Sequence, residues 1–396
     1  MTEHYLTEER RMIQDAARQF TKNEVLPVAN ALDPVKGDIP MDLRRKMGEM
    51  GYFGIRMPEE FGGLGLGVFE YALIAEELAR GWMSVASIIA RAGSMMGVGG
   101  WPLEKRQELT RKAAQGEWLS AVALSEPNVG SDLRAVACKA VLQGDEWVIT
   151  GNKYWCTFAD GADYINLLAR FDGAEAEAAG FKGTGQFIIE KARGELPDGC
   201  QGAPIPKIGY FGWRTWELAF DGCRIPKEII ITGGEGGGEG FENAVNWLNA
   251  ARVHTAARSI GLARGALEDA MAYSGERVQF GVPISDFQET RFKLARMASE
   301  IEAARQLMYH AAALMDGGDR ADKEASMATW YAAEMAERVT SDALQILGGS
   351  GYTTLHAVER HWRDSRLTKI FEGTSESQLR IIYDRMLGKP TSRGAV

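Results

Sequence analysis

The hydrophobic period changes twice along the chain, and this confines it to helices, then strands, then helices. From Thr7 to about Gly116 apolar residues recur at helical spacing: Met12, Ala16 and Phe20, then Leu43, Met47 and Met50, then Tyr71, Ile74 and Leu78. Between Trp118 and Pro226 the texture is short and strand-like, in WLSAVAL, EWVITG, DYINLLARF, GQFIIEKA and WELAFDGCRIP, with turn signals such as Gln143-Gly144-Asp145 between them. Helical spacing returns after the glycine-rich TGGEGGGEGF and runs to about residue 387, broken at Phe280-Gly281-Val282-Pro283, Asp316-Gly317-Gly318 and Gly348-Gly349. The glycine run lacks the Gly-Lys-Ser/Thr ending of a phosphate loop and reads as a linker. The expected fold is mainly α with a central β domain: helical over 1–117, β over 118–230 and helical over 231–396.

Composition narrows the function classes. Lys and Arg total 45 against 54 Asp and Glu, a net charge of −9, and no basic run is interleaved with aromatics, so nucleic acid is not an expected partner. Apolar runs are short, and MTEHYLTEERR has neither the apolar core of a signal peptide nor the acid-poor character of a transit peptide. A cytoplasmic protein without a membrane span is expected. Cys138, Cys156, Cys200 and Cys223 form no CxxC pair and the five histidines no HExxH, so neither a metal site nor a disulfide framework is expected.

Three short stretches carry chemistry. In KIFEGTSESQ, Glu372 stands on a loop between Phe371 and Gly373, ahead of a capping box read from Ser375 and of Leu379, Ile382, Tyr383 and Met386 at helical spacing. The carboxylate is placed as a tool, or simply as an acidic residue near a helix N-terminus that the dipole favours. ALSEPNVGSD, Ala123–Asp132, follows a strand and points backbone N–H groups and the hydroxyls of Ser125 and Ser131 into one turn. That suits a flavin edge or a pyrophosphate, and equally a polar turn. In GNKYWCT, strand alternation puts Trp155 and Thr157 on one face, where they shield a flat cofactor or form ordinary core.

Together with ERVQFGVPISDFQ and LQILGGSGY, these stretches occur in an order and spacing that resembles the acyl-CoA dehydrogenases over essentially the whole chain. The resemblance implies an N-terminal helical domain, a middle β-barrel domain and a C-terminal four-helix bundle, with FAD and an acyl-CoA thioester meeting between them. By the same resemblance Glu372 is the base that takes the α-proton, and hydride leaves the β-carbon for FAD, giving a trans-2-enoyl-CoA. A carboxylate is a weak base in water, so Phe371 and bound substrate are expected to exclude solvent from it. Leu124, Ser125 and Ser131 match the flavin and substrate loop, and Trp155 and Thr157 the residues against the flavin ring. Arg277, Phe280, Gln288, Gln345 and Gly349 match segments that hold the dinucleotide across a subunit interface, and Thr374 and Glu376 positions near its adenylate. An electron-transfer flavoprotein as electron acceptor and a homotetramer are implied as well. Relatives that use oxygen, as oxidases or monooxygenases, and a flavin-free structural homologue are the competing readings.

Departures from the family pattern bear on the substrate. Ala251 occupies the position where one branch of the family carries its base, which leaves Glu372 as the base. Ser125 stands where threonine is usual, and CTFAD places Cys156 and Phe158 near the flavin segment. LNAAR, with Asn249 and Arg252, is similar to the glutaryl-CoA dehydrogenase branch. Trp82, Tyr210, Phe211, Trp213, Trp216 and Trp247 crowd segments near the acyl pocket of relatives, which favours a short, branched, aromatic or dicarboxylic acyl group. Arg91, after SVASIIA, pairs with a substrate carboxylate or snorkels to solvent, and Arg214 is the alternative partner.

Overall fold

The computed structural model describes residues 5–231 and 239–388, without the side chains of 231 and 239–247. Residues 232–238 of the glycine run and the side chain of Trp247 therefore lie outside the described residues. The N-terminal region is built from α1 (Glu8–Phe20), α2 (Leu26–Leu32), α3 (Met41–Glu49), α4 (Val68–Gly81), α5 (Met83–Ile88) and α6 (Leu103–Ala114). Helix α1 starts at Thr7, whose hydroxyl accepts from Arg10 N at 3.2 Å, and it buries Ala17 and Phe20.

The middle region holds β1 (Ser120–Ala123), β2 (Lys139–Gln143), β3 (Glu146–Thr157), β4 (Tyr164–Asp172), the short α7 (Ala174–Ala178), β5 (Thr184–Glu190), β6 (Cys200–Pro204), β7 (Thr215–Pro226) and β8 (Ile230–Ile231). They form one curled sheet in the order β6-β7-β3-β2-β4-β5-β8. One edge of β4 is divided: Tyr164–Leu167 pair parallel with β1, and Arg170–Asp172 pair parallel with β2. The segment between β1 and β2 leaves the sheet at that division, and it contains the 123–132 loop. A core of its own, including Trp147, Ile149, Phe187, Leu218 and Phe220, supports the sheet.

The C-terminal region holds α8 (Glu239–Glu276), a hairpin of β9 (Val278–Gln279) and β10 (Val282–Pro283), α9 (Gln288–Asp316), α10 (Asp322–Leu347), α11 (Val358–Leu367) and α12 (Ser375–Met386). Alanines line the buried sides of α8 and α10, among them Ala256, Ala263, Ala270, Ala328, Ala332 and Ala336. Small side chains there let the two helices approach closely.

The two helical regions share a single core, because α4 is buried against α8 and α9. Asp316, ending α9, accepts from the first N–H groups of α4, Val68 N at 2.7 Å and Phe69 N at 2.9 Å. Glu76 and Glu77 on α4 are fully buried, and Arg18, Arg264 and Arg305 from three other helices neutralise them. No described helix is long and apolar enough to cross a membrane.

Candidate active site

Glu372 occupies the turn between α11 and α12 at φ +52°, a left-handed conformation that costs a residue with a Cβ roughly 1–2 kcal/mol. Gly373 follows at φ +96°, where a Cβ would meet Gln378 Nε2 at 2.6 Å. Helix α12 is capped by the Thr374 hydroxyl, which accepts from Ser377 N at 3.3 Å, one residue ahead of the expected Ser375 box. Ser375 Oγ donates instead to Glu334 Oε1 on α10, at 2.8 Å. Glu376 is exposed on the first turn.

Two side chains of α8 hold the carboxylate. Thr255 Oγ1 donates to Glu372 Oε2 at 2.7 Å, and Arg258 Nη2 donates to the same oxygen. Thr255 also bonds Ala251 O one turn back, so the turn lies over the stretch of helix where the family's alternative base position falls. Arg258 is sealed from solvent: Nη1 donates to Ser87 Oγ at 2.8 Å, and its guanidinium carbon lies 4.7 Å from the Phe371 ring centre. Phe371 is expected to exclude solvent from Glu372 only together with bound substrate. That ring covers Arg258 and meets Tyr210 edge-on at 5.8 Å, leaving the Glu372 side chain 33% exposed.

The rest of the wall is aromatic. The Tyr71 and His254 rings lie 4.8 Å apart, and His254 Nε2 is 3.0 Å from Ala86 O. Burial, then Arg258, holds the imidazole pKa well below its ordinary value, so His254 is neutral. Tyr210, at φ +58°, comes from the loop before β7, which is fixed at several points. Asp364 accepts from Tyr210 N at 2.6 Å, Lys207 Nζ donates to the carbonyls of Tyr210 and Trp213, and Ser84 Oγ donates to Phe211 O. Burial pulls the Lys207 pKa down to about 8, and burial, with Asp33 beside it, pushes that of Asp364 up to about 7. Trp213 continues the aromatic wall to Phe158, 5.7 Å away, and so to the end of β3. Trp82 is core, with its Nε1 donating to Asp33.

The other substrate candidates part company. Arg91 is half-buried, its guanidinium 5.3 Å from the Trp213 ring centre, its Nε buried without a hydrogen bond, and no carboxylate within ion-pair reach among the described residues. Arg214 is already paired with Asp160 at 2.5 Å, and Asp160 also accepts from Trp216 Nε1. Asn249 and Arg252 belong to a different buried network, in which Arg252 Nη1 donates to Asn249 Oδ1 at 2.6 Å and Asn249 Nδ2 to Asp322 Oδ1 at 2.8 Å.

The loop after β1 is tied to β3. Lys153 Nζ donates to Leu124 O, and Tyr154 N to Ser125 O at 2.8 Å. Glu126 draws the loop's far end in by accepting from Ala137 N and Cys138 N at 2.8 and 2.9 Å. The pairing of β3 with β7 shifts register between Lys153 and Cys156, and Trp155 sits in that bulge at φ +64°. Before the bulge odd-numbered residues such as Trp147 and Lys153 point inward. After it Cys156 does, and Trp155 and Thr157 face outward together. Thr157 Oγ1 lies 3.0 Å from Thr215 Oγ1, and Trp155 is 56% exposed. An exposed indole beside the half-buried Ser125, the exposed Ser131 and open space at Gly130 fits a flat aromatic cofactor with a polar rim.

Arg277, Phe280 and Gln288 are exposed around the β9-β10 hairpin, with Phe280 at 95% and φ +53°. Gln345 and Gly349 are exposed beside it, where Tyr273 Oη lies 3.2 Å from Ser350 Oγ. Among the described residues no group of three or more His, Cys, Asp or Glu side chains could hold a metal ion. Sequence reasoning missed Thr255, Arg258 and Asp364. The available signal was Arg258 itself, the one lysine, arginine, aspartate or glutamate between Arg252 and Arg264 on a long helical stretch.

Family models match over most of the chain: acyl-CoA dehydrogenase N-terminal domain over 7–123, middle domain over 121–223 and C-terminal domain over 238–387. (2S)-Methylsuccinyl-CoA dehydrogenase of Cereibacter sphaeroides is 40% identical over 390 residues, covering 96% of this chain and 70% of that protein. A chain solved in work on the electron transferring flavoprotein of Acidaminococcus fermentans superposes with a TM-score of 0.86 at 36% identity, covering 96% of this chain and 98% of its own. The glutaryl-coenzyme A dehydrogenase–glutaryl-CoA complex gives a TM-score of 0.86 at 32% identity, covering 99% and 98%.

Proposed function

The chain belongs to the acyl-CoA dehydrogenase family, and on that premise we propose that it desaturates a compact acyl-CoA thioester to its trans-2-enoyl-CoA, with Glu372 as the base. The observation that carries this reading is the Glu372 carboxylate itself. It is presented on a left-handed turn where the bundle meets the middle domain, is held at Oε2 alone, and keeps a third of its surface open to an incoming ligand. A carboxylate so placed takes up the α-proton. Leu124, Ser125, Ser131, Trp155 and Thr157 would hold FAD, with Thr374 and Glu376 toward its adenylate. When bound, FAD supplies the hydride acceptor for the β-carbon. Tyr71 and Tyr210 lie within electrostatic reach of Glu372, and with the neighbouring rings of His254 and Trp213 they crowd that side of the site, which favours a short, branched, aromatic or dicarboxylic acyl group over a long straight one. Of the two arginines considered for a substrate carboxylate, Arg91 is the one without an acidic partner among the described residues.

The exposed hairpin around Arg277, Phe280 and Gln288, with Gln345 and Gly349, supports a homotetramer in which this face covers a neighbour's FAD. An electron-transfer flavoprotein as acceptor is supported by the relative solved in work on such a protein. The test is spectroscopic. Purified protein carries a flavin absorbance that butyryl-CoA or another short thioester bleaches without oxygen. Protein that folds but takes up no flavin refutes the reading, and fast aerobic turnover with no acceptor protein replaces it with an oxidase.

A further inference from the structure

Glu372 shares its site with two guanidinium groups. Arg258 and Arg91 both lie within electrostatic reach of the Tyr210 hydroxyl and the His254 imidazole, as does Glu372 of the former. His254 is neutral and Arg91 has no acidic partner among the described residues, so around Tyr210 and His254 two guanidinium groups stand against one carboxylate. Arg258 is the more demanding of the two. It is fully buried, its other hydrogen bonds go to Ser87, Thr255 and the His254 carbonyl, and the one anion it touches among the described residues is the base. A buried guanidinium left without an anion is costly, so whatever removes Glu372 must replace it.

We propose that Arg258 is a carboxylate receptor occupied in this structure by the base itself, and that an acyl group carrying its own carboxylate takes Arg258 over and so releases Glu372 for proton abstraction. The inference rests on the reading of Glu372 as base and adds the substrate class. Both contacts to Glu372 fall on Oε2, so its free movement toward a substrate carbon requires Arg258 to let go. Exchange of one carboxylate for another leaves Arg258 paired throughout, with a planar fork suited to bidentate contact. Arg91 then balances the second negative charge in the pocket. A neutral acyl group offers Arg258 no substitute, so the base is freed less often and the flavin is reduced more slowly. Because Arg258 touches the base directly, the substrate carboxylate must lie within one or two carbons of the bonds being oxidised. That describes a short dicarboxylic thioester of about succinyl length, with or without a branch.

The experiment measures anaerobic flavin reduction by matched thioesters: succinyl-, methylsuccinyl- and glutaryl-CoA against butyryl-, 2-methylbutyryl- and valeryl-CoA, and against the methyl ester of succinyl-CoA. In the wild-type holoenzyme at least one acid exceeds its neutral match by about tenfold or more in the limiting reduction rate. Arg258→Met slows the acids, speeds the neutral thioesters several-fold and so collapses the ratio, while Arg258→Lys restores part of it. If every neutral thioester equals or exceeds its acid in wild type, the proposal fails whether or not the variants fold. Equal slowing of both classes in Arg258→Met overturns it too, since Arg258 then only steadies the base. Should no thioester of either class bleach the flavin, the reading of Glu372 falls first and takes this inference with it.

Discussion

Lys153 Nζ lies 2.9 Å from Glu126 Oε1, with the lysine side chain fully sealed from solvent and the glutamate nearly so. Through this pair β3 grips the loop that carries Leu124, Ser125 and Ser131, and the same carboxylate gathers the N–H groups of Ala137 and Cys138. Removing one partner of such a pair strands a buried charge. Glu126→Gln is therefore expected to cost about 3–5 kcal/mol in denaturant unfolding and to loosen flavin binding, with Glu126→Gln/Lys153→Met recovering part of the loss. A single variant as stable as wild type would show the pair to be idle. Burial opposes the charged form of Glu126, but its two backbone donors and Lys153 outweigh that and hold its pKa below the ordinary 4.5. Its stabilisation is thus complete above about pH 4.5 and is lost as pH falls through the lowered value.

Asp364 is expected to act in the opposite sense. Its pKa, raised by burial and by Asp33 to about 7, makes the folded state the better proton binder. The stabilisation is complete below the ordinary 3.8 and is lost as pH rises to about 7. Asp364→Asn keeps an acceptor for Tyr210 N without the titration. Between pH 4 and 8 the melting temperature of wild type should fall relative to that of the variant as pH rises, and parallel curves would show that Asp364 does not titrate there.

Trp155 is a bulky residue in a left-handed bulge, 56% exposed and with its neighbour Tyr154 edge-on at 4.6 Å, so it adds little to the protein alone. Trp155→Gly relieves strain of roughly 1–2 kcal/mol, part of which the extra unfolded-state freedom of glycine cancels. Flavin-free protein should therefore be as stable as wild type or slightly more so, while FAD binds at least about tenfold more weakly. Unchanged FAD affinity in a fluorescence titration would remove Trp155 from the cofactor site.

The alternation of helical and strand periods made the architecture legible, because periodicity reports how each segment meets a core. It does not report which cores merge: nothing in the spacing of Tyr71, Ile74 and Leu78 says that α4 shares its core with α8 and α9. Trp155 and Thr157 were readable as neighbours on one face, yet the choice of face depended on a bulge that alternation cannot register. Thr374 and Ser375 are equally able caps, so the start of α12 was legible only to within a residue. Glu372 was legible as a loop carboxylate. Its clamp was not, because Arg258 lies far away in sequence and one of several arginines on a helix of mixed polarity gives no sign of its partner. Arg214 was a fair candidate for a substrate carboxylate until Asp160, from another loop, was found to hold it.

The central claim is that Glu372 is the base, and the direct measurement is anaerobic flavin bleaching by a thioester that reduces the wild type, repeated with Glu372→Gln. Glutamine keeps the size of the side chain and an oxygen to accept from Thr255 and Arg258, but cannot take up the α-proton. The account predicts a variant that retains FAD, binds the thioester with a shift in the flavin spectrum, and bleaches slower by about a thousandfold or more. Bleaching by Glu372→Gln at the wild-type rate would place the base elsewhere and contradict the account.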